Sequence, residues 1–299
     1  MSGGDFFILV EGEPHSPELA FLEIQITKIF EANDILYFPK VCEVGSSSAF
    51  NSVAKPFYRL SKAHKNVPVL AIIDSDYRVP SDKVNISDEQ LIKNRNTKKL
   101  YWQRHEWENY LLSETQFIAD FANQFPKKYN ENKFFKNSDS LITKKNLDDF
   151  LKSYFKEIIK DEFFECLKFN LNTKIERYPS ISKPDSFNEK SIDEIKEWFL
   201  STANDRKVTI KPIKNNLFEE ILTEYNWIKW LNNPESLSFD VAKNKLRGKE
   251  AIDKLFGHIK TQYQCRFDNE EFKSEILKHL PDTSAIITDL INILPRKLP

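Results

Sequence analysis

A run of consecutive apolar residues, Val69-Leu70-Ala71-Ile72-Ile73, ends abruptly in Asp74-Ser75-Asp76. An unbroken apolar run is the pattern of a strand buried on both faces, as in a parallel sheet. The two-residue period of a strand puts the Asp74 and Asp76 side chains on one side of the chain and Ser75 on the other. Two carboxylates held that close repel, and burying them costs several kcal/mol unless a proton or a cation intervenes. A hard divalent cation such as Mg²⁺ or Mn²⁺ resolves the conflict, and its usual partner is a phosphate. Open α/β sheets place their ligands at the C-terminal ends of parallel strands, which is where this pair falls.

The residues before that strand read as β-α-β-α. Phe6 to Val10 is an apolar strand closed by Glu11-Gly12. Ser16-Pro17-Glu18 is a helix start, with Ser16 as N-cap, Pro17 at the first helical position and Glu18 in the first turn. Apolar residues from Leu19 to Phe30 carry that helix to about Ala32. Ile35 to Phe38 and Val41 to Val44 are strand material ending at Gly45, and Phe50 to His64 reads as a helix with Pro56 as a kink or start. The order predicts a parallel sheet with right-handed crossovers. Pro80 to Lys99 is polar and reads as a long loop, and Leu100 to Gln103 as a fourth strand. Beyond Ser113 the apolar spacing turns helical, over Phe117–Phe125, Leu147–Leu171, Ile192–Leu200, Leu217–Leu231, Ala251–Tyr263 and Phe272–Leu280. Trp227 and Trp230, three apart, fall on a core or partner-facing stripe. Asn130–Ser140 and Tyr178–Lys190 read as flexible.

Composition limits the function classes. With 40% hydrophobic and 30% charged residues the chain is that of a folded globular protein. No apolar run approaches the roughly 20 residues of a membrane span. The N-terminus lacks the pattern of a signal peptide, and Cys42, Cys166 and Cys265 form neither a zinc pattern nor a disulfide framework; a cytoplasmic protein is expected. The net charge of −1 means that nucleic-acid binding would rest on local basic patches. Two segments interleave basic and aromatic residues: Lys93, Arg95, Lys98 and Lys99 with Tyr101 and Trp102, and Lys127 to Lys136 with Tyr129, Phe134 and Phe135.

Three carboxylates, Glu11, Asp74 and Asp76, share one sheet edge if the first and third strands are neighbours. A Glu-Gly after the first strand and an Asp-x-Asp after the third resemble the TOPRIM fold of topoisomerases, primases and OLD-type nucleases. Glu108-Asn109-Tyr110-Leu111-Leu112 is similar to a segment of the OLD-type group, as is the Gly248-Lys249 pair opening a helix. The resemblance covers residues 5 to 113 and the segment near 248. It implies a TOPRIM-like α/β core over 1–113, a parallel sheet flanked by helices, followed by a mainly helical region over 114–299 that returns Lys249 to the site. It also implies a metal, Mg²⁺ or Mn²⁺, held by Glu11, Asp74 and Asp76, with Glu108 as a further ligand. An acidic residue usually follows the Glu-Gly; here His15 takes that place, and Glu18 or Glu13 fills the role. Stand-alone TOPRIM proteins of this size partner ABC-type ATPases in bacterial anti-phage systems, so the resemblance points to a nuclease effector under a partner's control.

The residues themselves carry the same chemistry. Carboxylates that hold Mg²⁺ let it polarise a phosphodiester and acidify a bound water, and an all-oxygen ligand set disfavours zinc. Lys249 at a helix N-terminus is placed to meet a phosphate and the charge developing on it. Glu106 and Glu108 face one way if their segment is extended and diverge if it is helical. His15 and His105 lie near the site in sequence, and Tyr110, Leu111 and Leu112 read as core. No G-x-x-x-x-G-K-[ST] loop is present, so nucleotide-driven control would need another protein. Two alternatives stand beside the nuclease. One is a phosphatase of the HAD type, whose Asp-x-Asp belongs on the first strand and continues to Thr or Val where this chain has Arg78. The other is a catalytically silent TOPRIM-like scaffold that binds nucleic acid or an ATPase.

Overall fold

The computed structural model describes residues 5–12, 16–45, 52–53, 55–57, 59, 69–78, 98–128, 134–172, 181–205 and 216–294. Its centre is a four-stranded, all-parallel sheet made of β1 (Asp5–Val10), β2 (Phe38–Glu43), β3 (Val69–Ile73) and β4 (Lys98–Tyr101), in the order β2-β1-β3-β4. Helix α1 (Pro17–Ala32) connects β1 to β2. The strands alternate as the two-residue period requires. Phe6, Ile8 and Val10 of β1 and Leu70 and Ile72 of β3 point into the main core; Leu9, Val69, Ala71 and Ile73 form a second cluster on the opposite face, with Phe7 and Phe57 packed against it. All five residues of β3 are buried, so it is the doubly covered central strand its composition predicts.

Two strand boundaries differ from expectation. β2 is one strand running through Pro39, and not two pieces on either side of it. Among the described residues it is the outermost strand, with β1 as its only neighbour, and an edge tolerates the missing N–H of proline. β4 starts two residues early, at Lys98, and stops at Tyr101. The helix expected over Phe50–His64 and the loop over Pro80–Lys99 lie largely outside the described residues; 52–53, 55–57 and 59 are helical.

The rest of the chain is mainly helical: α2 (Glu108–Leu111), α3 (Thr115–Lys128), α4 (Lys144–Asn172), α5 (Ile192–Asp205), α6 (Leu217–Glu224), α7 (Trp227–Asn232), α8 (Phe239–Lys245), α9 (Gly248–Gln262), α10 (Asn269–His279) and α11 (Ala285–Ile293). A short antiparallel ladder joins β5 (Phe135–Lys136) to β6 (Cys265–Arg266). The helix expected over Leu217–Leu231 is two, because Asn226 adopts φ 56, a left-handed conformation that asparagine tolerates. Trp227 and Trp230 are core residues. Where described, the two segments expected to be flexible each bury an aromatic residue, Phe134 and Phe187, the latter in a 3₁₀ turn, Phe187–Glu189. Phe134 and Trp102 therefore cannot stack bases, while Lys93, Arg95, Tyr129 and Lys133 lie outside the described residues. One continuous apolar cluster runs from Phe6 on the sheet to Leu294 in the C-terminal helices, so the helical half closes one face of the sheet. No helix among the described residues is long and apolar enough to cross a membrane.

Candidate active site at the C-terminal edge of the sheet

β1 and β3 are neighbours, and their register pairs Val10 with Ile72. Glu11 therefore emerges one step from Asp74 at the same sheet edge, its N–H donating to the Ile72 carbonyl at 3.4 Å. Both line a cavity of about 350 Å³, together with Gly12, Ser16, Glu18, Gly45, Glu106, Trp107, Glu108, Lys249, Glu270 and Lys273. Of the expected site residues, Glu11, Asp74, Glu18, Glu108 and Lys249 meet here. Glu18 comes from the first turn of α1, where Ser16 takes the N-cap position with extended backbone but makes no capping bond. A Cβ on Gly12 would come within 3.0 Å of the Glu18 Oε1, so the glycine leaves room for that carboxylate beside the end of β1. Glu13 and His15 lie outside the described residues.

Asp76 does not line the cavity. The strand ends at Ile73, and Asp76 adopts φ 44, which breaks the alternation that would set it parallel to Asp74. Arg78 donates to its carboxylate at 2.6 Å and to the Asp74 carbonyl at 2.9 Å, while the Asp76 N–H donates to the His105 carbonyl at 2.8 Å. Ser75 faces the other way, as expected, buried and donating to the Trp102 carbonyl. His105 is a buried packing residue against Tyr77, its ring 4.4 Å away. Tyr110, Leu111 and Leu112 are core.

Two segments far apart in sequence are built against each other. Asn109 is fully buried; its Nδ2 donates to the Lys243 and Leu246 carbonyls, each at 2.7 Å, and its Oδ1 accepts from the Glu106 N–H at 2.7 Å. The clamp seats the start of α9 so tightly that a Cβ on Gly248 would lie 2.6 Å from both the Asn109 N and Oδ1. Lys249 enters the cavity from this helix end, and its N–H donates to Glu106 Oε2 at 2.7 Å. Glu106, in the turn before α2, and Glu108, at its first residue, both reach the cavity although their segment is not extended.

The electrostatics set these acids apart. Burial, then Glu108, Asp76, Glu106 and Glu11, push the Asp74 carboxyl well above the ordinary range. Burial and Glu106 raise Glu108 to about 8, against the pull of Lys273, and burial raises Glu18. Burial also works on Glu106, but His105 at 3.6 Å and the N–H groups opening α9 outweigh it and hold Glu106 below the usual range. Asp76 is raised chiefly by burial, with His105 and Arg78 opposing.

Sequence reasoning missed Lys273 and Glu162. Lys273 sits among Phe272, Ile276 and Leu277 on the buried face of α10, a charged residue within an apolar stripe. Glu162 follows Leu151, Phe155 and Ile159 at helical spacing and is likewise on a buried face. It accepts from the Tyr77 hydroxyl and from the Arg247 Nε at 2.5 Å and N–H at 3.1 Å, tying α4 and the segment after β3 to the start of α9. In each case the signal was an ionisable residue at a position the periodicity reserves for the core.

Among the described residues no three Asp, Glu, His or Cys side chains are grouped closely enough to hold a metal ion. The donor chemistry nonetheless suits a hard cation. Glu11, Glu18, Asp74 and Glu108 offer only oxygen, and the repulsion that raises Asp74 is relieved by positive charge in the cavity. No protein-family model matches the chain, and no curated protein matches it.

Proposed function

We propose that the protein is a Mg²⁺- or Mn²⁺-dependent nuclease with a TOPRIM-like catalytic core, hydrolysing phosphodiester bonds in DNA or RNA. One observation carries this reading: carboxylates that follow β1 and β3 and carboxylates of α1 and α2 meet Lys249 in a single cavity at the C-terminal edge of a parallel sheet. A divalent ion held by Glu11 and Asp74, with Glu18 or Glu108 completing the set, would polarise the phosphodiester and acidify a water. Lys249 then faces the scissile phosphate and offsets the charge that develops on it. Asp76, which holds Arg78 through Oδ2 and does not line the cavity, stands outside this ligand set. Trp107 walls the cavity beside these groups.

The resemblance of Glu11-Gly12 and Asp74-Ser75-Asp76 to the TOPRIM pattern further implies a separate controlling partner, an ABC-type ATPase in a cytoplasmic anti-phage setting; the sequence has no nucleotide-binding loop of its own. The test incubates the full chain with single- and double-stranded DNA and RNA, and with a small phosphomonoester, with Mg²⁺, with Mn²⁺ and with chelator. It is run with and without candidate ATPases. Metal-dependent cleavage of a nucleic acid, lowered at least about 100-fold in Asp74→Asn, is expected, because loss of a direct ligand exceeds the 10–100-fold typical of an outer-shell loss. Hydrolysis of the phosphomonoester alone would favour a phosphatase. Equal cleavage by wild type and a folded Asp74→Asn would remove this cavity from the chemistry.

A further inference from the structure

The turn after β3 is held by an arginine. Arg78 Nη1 carries two N–H groups, and each has an acceptor: the Asp74 carbonyl at 2.9 Å and Asp76 Oδ2 at 2.6 Å. The guanidinium packs over two rings, its central carbon 5.5 Å from the centre of Tyr101 at the end of β4 and 5.1 Å from that of Phe169 in α4. The Arg78 and Asp76 side chains are only 17% and 20% exposed, so the pair is much less screened than one on the surface. Further bonds tie the same turn. Ser75 Oγ donates to the Trp102 carbonyl, the Asp76 N–H to the His105 carbonyl at 2.8 Å, and the Arg78 N–H to the Ser75 carbonyl at 3.1 Å. The Tyr225 hydroxyl donates to the Arg78 carbonyl at 3.3 Å.

Within this turn Asp76 is held at φ 44, a left-handed conformation that residues with a side chain adopt rarely and keep where their surroundings impose it. The consequence falls on Asp74. With β3 holding the chain on one side and Arg78 holding the carbonyl on the other, the Asp74 carboxyl lines the cavity, while that of Asp76 is turned to Arg78 and does not.

We infer that the second aspartate of Asp74-Ser75-Asp76 is not a metal ligand but half of a latch: Asp76 and Arg78 are positioning residues that together hold Asp74 toward the cation site. The inference rests on the proposed metal-dependent reading and divides the roles of its two aspartates. The latch predicts the opposite of what simple charge predicts. Arg78 is a cation 2.9 Å from the Asp74 carbonyl, so by charge alone its removal would tighten the binding of a divalent ion and free Asp76 to join the ligands. Because Arg78 aims Asp74, its removal weakens binding instead.

The experiment titrates Mn²⁺ into the full chain and follows the free ion by electron paramagnetic resonance, for wild type, Asp74→Asn, Asp76→Asn, Arg78→Met and Arg78→Lys. Circular dichroism is the folding control, and the affinity of the folded protein is not moved by a general loss of stability. Arg78→Met should bind at least about 10-fold more weakly, within the 10–100-fold typical of losing a group that orients a ligand. Asp76→Asn should lose less than about 10-fold, because asparagine tolerates the left-handed conformation and still accepts from Arg78; Asp74→Asn should lose at least about 100-fold. Arg78→Lys keeps the charge but not the planar group over the two rings, and should also bind more weakly. A loss below about 10-fold in Arg78→Met, or of about 10-fold or more in Asp76→Asn, overturns the inference while leaving a metal-dependent enzyme standing. If Arg78→Met does not fold, Arg78→Lys decides, and unchanged affinity there overturns the inference. No Mn²⁺ bound to wild type overturns the metal-dependent reading itself.

Discussion

A fully buried acid and a half-buried one flank the start of α9 and are treated in opposite ways. Glu162 is fully buried, yet both carboxylate oxygens are engaged, by Tyr77 and by the side chain and backbone of Arg247. Asp74 is surrounded by Glu108, Asp76, Glu106 and Glu11, and burial with their charge drives its carboxyl upward. A buried acid with its partners in place holds parts of the fold together, while several acids buried against one another are stable only with a proton or a cation. The fold keeps the second arrangement at the sheet edge because β1 and β3 are neighbours and both end there. The same helix end serves both: Arg247 belongs to the strut, and Lys249, two residues later, belongs to the cavity.

The sharpest way to break this contrast is to exchange the fates of the two acids. Removing the Glu162 carboxylate should strongly destabilise the protein, because it strips Tyr77 and Arg247 of their common partner. Glu162→Ala is expected to cost about 3 kcal/mol, allowing for the part of Arg247 that reaches solvent. At about 2–4 °C per kcal/mol this lowers Tm by roughly 6–12 °C. A change of less than about 2 °C would show that the strut contributes nothing beyond its surroundings.

Gly248 tests whether the two motif segments depend on close contact. Gly248→Ala places a Cβ into Asn109 and is expected to cost about 1–3 kcal/mol, as overpacking of a tight contact does. The proposed nuclease activity should fall with Tm, since Glu106 and Lys249 move with the helix end. Unchanged Tm and activity would show that the segments can separate freely.

The smallest effect concerns Glu108. With its carboxyl raised to about 8 from an ordinary 4.5, the folded protein keeps a proton that the unfolded chain has lost between those values. That contribution to stability is fully present below about pH 4.5 and is lost as pH rises through about 8. Metal-free Glu108→Gln should therefore gain at least about 1 kcal/mol over wild type at pH 8, about 2–4 °C in Tm, and nothing below pH 4.5. Parallel Tm curves for the two proteins across this range would mean that Glu108 is not held protonated.

Much of this site could be read from the chain because the strand signals were strong. The apolar runs ending in Glu11 and Asp74 place both at one edge as soon as β1 and β3 pair, and Gly248-Lys249 marked a helix start that does return to the cavity. Asp76 resisted, because the alternation rule holds only while the strand continues, and a positive φ just past its end points the side chain to Arg78. Lys273 and Glu162 were hidden for a different reason. Each sits in a stretch whose hydrophobic pattern is satisfied by its neighbours; Lys273 pairs with Glu270 one turn back, and Glu162 takes Tyr77 and Arg247 from other segments. Asn109 was visible in a motif, but its task of clamping the α8–α9 junction is purely tertiary.

The claim that the acids at the sheet edge await a cation is tested most directly by the shift in Tm on adding Mn²⁺ to wild type and to Asp74→Asn at pH 7.5. Saturation at about 100 times the dissociation constant stabilises a folded protein by about 2.7 kcal/mol. Wild type should thus rise by about 5–10 °C, and Asp74→Asn, already relieved of one repelling charge, should begin higher and rise little. An equal rise in both proteins, or none in wild type, would contradict the account.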